Sequence, residues 1–128
     1  MITPQELRIG NWVNHKIVEK WERVDSIDYD QLLKSNGVEQ YYINRFQLED
    51  YEPIPLSPEI LEKCGFNKKT YGGAGLFYVN GLVHISEYLN YLNCDPYGSV
   101  ENSVSVQYLH QLQNLFYVLT GQELEIKL

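Results

Sequence analysis

The sequence lacks any long apolar run and any N-terminal targeting pattern. No apolar run approaches the roughly 18 residues that a membrane-spanning helix needs. The first residues, MITPQELRIG, show no basic segment followed by an apolar stretch, as a secretory signal peptide would. We therefore expect a cytoplasmic protein with no membrane partner.

Residues that commonly carry chemistry are also scarce. The two cysteines, Cys64 and Cys94, do not form a C-x-x-C pair, and His15, His84 and His110 lie far apart. Zinc sites usually bring paired ligands at short spacing, and a G-x-S-x-G elbow is absent. Cys64 lies on the apolar side of a predicted helix, where burial would disfavour a thiolate. We therefore expect no catalytic residue, no metal and no cofactor, and a small hydrolase or metal enzyme is only the remaining possibility.

Basic residues are few as well. The chain has ten Lys and Arg and 17 Asp and Glu, which gives a net charge of −7. The densest basic segment is Lys68-Lys69. Binding to nucleic acid needs clustered positive charge, so this balance disfavours it. The alternative stays open, because aromatic side chains on small sheets can stack on bases. The candidates for such stacking are Trp12, Trp21, Tyr41 and Tyr42.

The remaining composition is that of one ordinary folded protein. The chain has 128 residues, of which 44% are hydrophobic and 13% aromatic. Short apolar segments with turn signals fill residues 1–56, which predicts a small SH3-like bent β-sheet or barrel. Residues 57–128 are predicted to form a second α+β part of the same compact unit.

The second part begins with a strong helix signal. In SPEILEKCGF, Ser57 can cap the helix, Pro58 suits its first position, and Gly65 can end it. Residues 76–85 predict a hairpin with a type I′ turn at Asn80-Gly81. Residues 86–99 give no clear assignment. The overall expectation is an α+β fold in which antiparallel strands are packed by a C-terminal amphipathic helix.

The C-terminal helix is predicted between Tyr108 and Gly121 and carries no charged residue. At about 100° per residue, one face is an apolar stripe. The members of this stripe are Tyr108, Leu109, Leu112, Leu115, Phe116 and Leu119. The opposite face holds polar side chains that could bind a partner or tie the helix to its own chain. This possible interaction face comprises Gln107, His110, Gln111, Gln113, Asn114 and Tyr117.

Three segments carry a family resemblance. They are ELRIGNWV, YEPIPLSPEILEKCGF and YLHQLQNLFYVLTGQELEI, in that order along the chain. Together they resemble a family of small uncharacterised proteins from gut-type Gram-negative anaerobes and their prophages or mobile elements. The resemblance implies a cytoplasmic accessory protein of phage origin and carries over no catalytic residue.

The absence of a catalytic set and the uncharged helix favour a non-enzymatic interaction or adaptor protein. Such a protein would bind a protein partner or associate with itself. The alternative is a nucleic-acid-binding accessory protein that uses the N-terminal β-subdomain.

Overall fold

The fold is α+β, as predicted. The computed structural model describes residues 2, 6–25, 27–28, 42–43, 46–72, 75–89, 91–93 and 103–127, with the backbone alone at residues 27–28, 42–43 and 46–47. Tyr41 and Cys94 lie outside these residues. The chain forms two compact units, Met1–Ile54 and Pro55–Leu128. No helix in the described ranges is long and apolar enough to cross a membrane.

The first unit consists of small antiparallel sheets. Its strands are β1 (Trp12–His15), β2 (Lys20–Arg23), β3 (Ile27–Asp28), β4 (Tyr42–Ile43), β5 (Phe46–Gln47) and β6 (Tyr51–Glu52). One sheet has the order β2-β1-β6 and another the order β3-β4-β5. A small open sheet at the N-terminus agrees with the prediction, whereas the SH3-like closure stays a prediction.

The core of the first unit follows from strand alternation. Val13 and His15 of β1 point inward and are buried, while Trp12 and Asn14, which alternate with them, are half-buried. Tyr51, the inward residue of β6, pairs with His15 across the sheet. The buried apolar cluster is Ile2, Leu7, Val13, Val24, Leu48 and Tyr51.

Helix α1 (Pro58–Lys63) has both predicted caps. The Ser57 hydroxyl accepts a hydrogen bond from the Ile60 N–H at 3.2 Å, which satisfies one of the free donors of the first turn. At the other end, Gly65 has φ +83°. Its N–H donates to the Glu62 carbonyl and the Phe66 N–H to the Leu61 carbonyl, at 3.1 and 2.9 Å. This is a Schellman motif, so a residue with a Cβ at position 65 would be strained.

The second unit is built on a five-stranded antiparallel sheet. Its strands are β7 (Asn67–Tyr71), β8 (Gly75–Asn80), β9 (Val83–Ser86), β10 (Tyr91–Asn93) and β11 (Val104–Ser105), followed by helix α2 (Leu109–Thr120). The strand order is β11-β10-β9-β8-β7. The segment left unassigned from the sequence is thus partly resolved, because β10 lies within it, while residues 94–99 lie outside the described residues.

The β8–β9 hairpin is confirmed, but its turn is one residue later than predicted. Asn80 pairs with Val83, so the two loop residues are Gly81 and Leu82. Gly81 has φ +59° and Leu82 does not have a positive φ, as in a type II′ turn with glycine first. The predicted type I′ turn at Asn80-Gly81 is wrong because Asn80 completes the ladder and its side-chain amide donates to the Cys64 carbonyl at 3.0 Å.

The core of the second unit lies on one face of this sheet. Tyr78, Ile85 and Leu92 are cross-strand neighbours on β8, β9 and β10, and each is at most 5% exposed. Because side chains alternate along a strand, the other face carries Lys69, Tyr71, Phe77 and His84. That face is half-buried at Tyr71 and Phe77.

Candidate interaction face on the C-terminal helix

Helix α2 is held at both ends by polar groups of its own sequence. The Gln111 side-chain oxygen accepts hydrogen bonds from the backbone N–H groups of Gln107 and Tyr108, at 3.0 and 3.2 Å. At the other end Gly121 has φ +73°, and its N–H donates to the Tyr117 carbonyl at 2.8 Å. These bonds confirm the predicted ends of the helix, and no charge is needed to cap it.

The buried face of α2 is rotated from the predicted apolar stripe. Leu109, Leu112 and Phe116 are buried as expected, but so are His110 at 0% and Gln113 at 3% exposed. Leu119, predicted in the core, is 43% exposed, so that expectation is wrong. At about 100° per residue, the buried arc centres near Leu109 and Gln113, about 80° from the centre of the predicted stripe.

The six residues of the possible interaction face are therefore divided by the structure. His110 and Gln113 are buried, and the His110 ring stacks on Tyr108 with centroids 6.0 Å apart. Gln111 is used as a cap. Asn114 is half-buried, while Gln107 and Tyr117 are exposed. The second of the two interpretations, that these side chains tie the helix to its own chain, thus applies to Gln111. The exposed residues of the face are Gln107 and Tyr117.

The side of α2 that faces away from its buried arc is uncharged and apolar toward its C-terminal end. Val118 is 77%, Tyr117 44% and Leu119 43% exposed. Leu115 and Asn114 lie between them and are half-buried. We call Asn114, Leu115, Tyr117, Val118 and Leu119 the outward face. Leu119 was missed in the sequence because its spacing assigned it to the apolar stripe, and Val118 was missed because the opposite face was defined by polar side chains alone.

His84 is hydrogen-bonded within its own sheet. It lies in β9, where its Nδ1 is 3.0 Å from the Leu82 carbonyl and its Nε2 is 2.9 Å from the Tyr71 hydroxyl. The carbonyl can only accept, so Nδ1 carries the proton and Nε2 accepts from Tyr71. The rings of Tyr71, Phe77 and His84 also contact one another edge to face.

His15 supports the turn between β1 and β2. Its Nδ1 accepts hydrogen bonds from the backbone N–H groups of Ile17 and Val18, at 3.2 and 3.4 Å. The ring packs edge-on against Tyr51 with centroids 4.8 Å apart. The His15 imidazole therefore stabilises this turn.

Cys64 lies at the end of α1 and is 2% exposed. Burial raises the pKa of its thiol to about 12, so the thiolate that a nucleophile requires is scarce at neutral pH. It borders an open cleft of about 730 Å³ together with Phe116 and residues 122–125. Among the described residues, no group of three or more His, Cys, Asp or Glu side chains is arranged to hold a metal ion.

The two tryptophans lie on one face of the first unit's sheet. Trp12 pairs with Arg23, and Asn14 with both Trp21 and Glu52, so all five side chains share that face. Both indoles are half-buried. A basic and an acidic residue thus flank the aromatic pair.

The outward face of α2 thus brings three exposed large apolar side chains together on one uncharged helix. Comparison of the whole chain with protein-family models, with curated proteins and with solved structures gave no match.

Proposed function

We propose that this chain is a non-enzymatic interaction or adaptor protein that associates with a second copy of itself through the outward face of α2. The observation that carries the proposal is the exposure of Val118, Tyr117 and Leu119 on a helix without any charge. Exposed apolar groups are ordinary when scattered, but here Tyr117, Val118 and Leu119 cover about 200° of the helix circumference, with the half-buried Asn114 and Leu115 between them, and such continuous apolar surface is typical of contact surfaces.

Charge favours a second copy as the occupant of this face. At a net charge of −7, two copies repel each other wherever acidic surfaces meet. A two-fold contact brings a surface against itself, so any charge on it would face its own copy. The outward face has none, and it is therefore a place where two copies can meet without opposing like charges.

We expect this association to be weak. A helix of 12 residues is about 18 Å long, and a stable interface buries roughly 800 Å² on each partner, which is more than one short helix face supplies. The wild-type dimer fraction should therefore rise with protein concentration. Light scattering behind a sizing column, over a series of loading concentrations, measures it.

The variant Val118→Arg tests the assignment. It places a charge at the most exposed apolar position of the face, so two copies would bring like charges together, and the variant should stay monomeric at every concentration. Leu82→Arg is the matched control, since Leu82 is 70% exposed at the β8–β9 turn. A wild type that is monomeric throughout, or a Val118→Arg variant that dimerises like Leu82→Arg, would contradict the proposal.

The family resemblance of the three sequence segments adds a context to this proposal. The resemblance implies a cytoplasmic accessory role in a phage or mobile element. Nothing in that context requires a catalytic residue.

The second candidate function is nucleic-acid binding by the first unit. The shared face of Trp12, Trp21 and Arg23 favours it, because half-buried indoles can stack on unpaired bases beside a cation. Binding of single- and double-stranded oligonucleotides at low salt, followed by a gel shift, tests it under the most permissive condition. We expect no shift, because the described strands place a single cation, Arg23, on this face together with the carboxylate of Glu52, and nucleic-acid binding needs clustered positive charge. A shift that Trp21→Ala removes would favour this candidate instead.

A further inference from the structure

Strand β7 is the longer of the two edges of the five-stranded sheet. It has five residues, Asn67–Tyr71, and no neighbour on its outer side in the part of the chain that the structure describes. Asn67, Lys68, Lys69 and Thr70 are all exposed. An exposed edge of this length can accept a further strand.

The register shows which backbone groups face outward. Asn80 and Val83 close a two-residue hairpin and so exchange both of their hydrogen bonds. Counting back along β8, Val79, Phe77 and Gly75 turn their N–H and C=O groups toward β7, where they meet Asn67, Lys69 and Tyr71. The N–H and C=O groups of Lys68 and Thr70 therefore point away from the sheet.

The two lysines leave this edge accessible. Lysine at an edge often protects it from unwanted pairing. Here the Lys68 ammonium lies 5.9 Å from the ring centroid of Tyr78, on the inner neighbour β8. The Lys69 ammonium lies 5.0 Å from the ring centroid of Tyr71, on the opposite face. Each charge is held over a face of the sheet and not across the outward backbone groups of β7.

The register of β7 and its two lysines indicate which kind of partner can bind this edge. The geometry points to β7 as a docking edge for an extended acidic peptide segment, which adds as a sixth strand with consecutive carboxylates beside Lys68 and Lys69. A second copy of β7 is disfavoured, because antiparallel self-pairing would bring the two lysine pairs together. The surface is separate from the outward face of α2, and an adaptor with both could hold an acidic partner while pairing with itself.

The first test is binding of a short labelled peptide, read by fluorescence anisotropy at low salt. The probe has two consecutive glutamates flanked by valine and threonine, and the control probe has two lysines in their place. We expect binding of the acidic probe alone. Replacing both Lys68 and Lys69 with glutamine should weaken it by about 2- to 30-fold, as the loss of two cross-strand charge pairs would.

Thr70→Pro separates strand addition from simple charge attraction. Proline removes an N–H that points outward, which edge strands tolerate, and leaves both lysines in place. We expect this variant to lose binding while its circular dichroism stays that of the wild type. Val118→Arg should bind the acidic probe like the wild type, so failure of the α2 proposal would not be confused with failure of this one.

Amide hydrogen exchange on the wild type keeps the test independent of how Thr70→Pro folds. The amides of Lys68 and Thr70 should exchange rapidly in the free protein and become protected when the acidic peptide is added. Unchanged exchange at both amides, equal binding of the two probes, or displacement of the acidic probe by an oligonucleotide at the same edge would overturn the proposal.

Discussion

Leu112→Ala should lower the free energy of unfolding of the second unit by about 2–5 kcal/mol. Leu112 is fully buried in the middle of α2, and truncation removes apolar contacts and leaves a cavity that the surrounding side chains only partly fill. Urea unfolding followed by circular dichroism in the helical band measures this loss. Among the described residues the α-helices, α1 and α2, both lie in the second unit, so the helical signal follows that unit.

Leu119→Ala is the matched control on the same helix. Leu119 is 43% exposed, so its truncation should change the free energy of unfolding by less than about 1 kcal/mol. Both variants are best compared at low protein concentration, where self-association adds nothing to stability. Equal losses for the two variants would place Leu119 in the core, as its position in the sequence suggests, and would contradict the observed rotation of α2.

Tyr51→Phe should cost the first unit about 1.5–3 kcal/mol of unfolding free energy, the range for a hydrogen bond to a charged group. The Tyr51 hydroxyl is buried and donates to a Glu22 carboxylate oxygen at 2.6 Å, and phenylalanine keeps the ring but not the donor. Unfolding followed by tryptophan fluorescence reports on this unit, because Trp12 and Trp21 both lie in it.

The cost of Tyr51→Phe should also shrink at high pH. Burial raises the pKa of Tyr51 well above the usual value of about 10, and the hydrogen bond to Glu22 and the charge of that carboxylate raise it further. A raised folded-state pKa gives a stabilisation that is complete below about pH 10. It is lost as the pH rises from there toward the folded-state pKa, by up to about 1.4 kcal/mol per pH unit.

The control is Tyr88→Phe, which removes the hydroxyl of an 83% exposed tyrosine in the second unit. It should leave the tryptophan-detected unfolding of the first unit unchanged at every pH. Parallel stability curves for the wild type and Tyr51→Phe above pH 10 would show that Tyr51 ionises equally in the folded and unfolded chains.

Local signals predicted the helices well. Ser57, Pro58 and Gly65 each act within one turn of α1, so their residue types were enough to predict where it begins and ends. The same holds for Gly121 at the end of α2. A capping residue bonds to backbone groups only a few residues away along the chain. Helix ends can therefore be predicted from the local sequence.

Rotation and register were harder to predict for a physical reason. Which arc of α2 is buried depends on what packs against it, and His110 and Gln113 are buried although both are polar. The β8–β9 turn likewise shifted by one residue because Asn80 bonds to the Cys64 carbonyl, a contact with a residue 16 positions earlier. The charge pair Lys68-Lys69 was visible in the sequence, but its place on a sheet edge was not.

The bond between Tyr71 and His84 has a consequence for how this sequence can change over time. The imidazole accepts from the Tyr71 hydroxyl only while its proton stays on Nδ1, where the Leu82 carbonyl keeps it. A residue without an acceptor at position 84 would remove one hydrogen bond from a half-buried phenol, and phenylalanine at position 71 would then relieve that cost. Among divergent descendants of this chain, positions 71 and 84 should therefore be substituted as a pair, although 13 residues separate them.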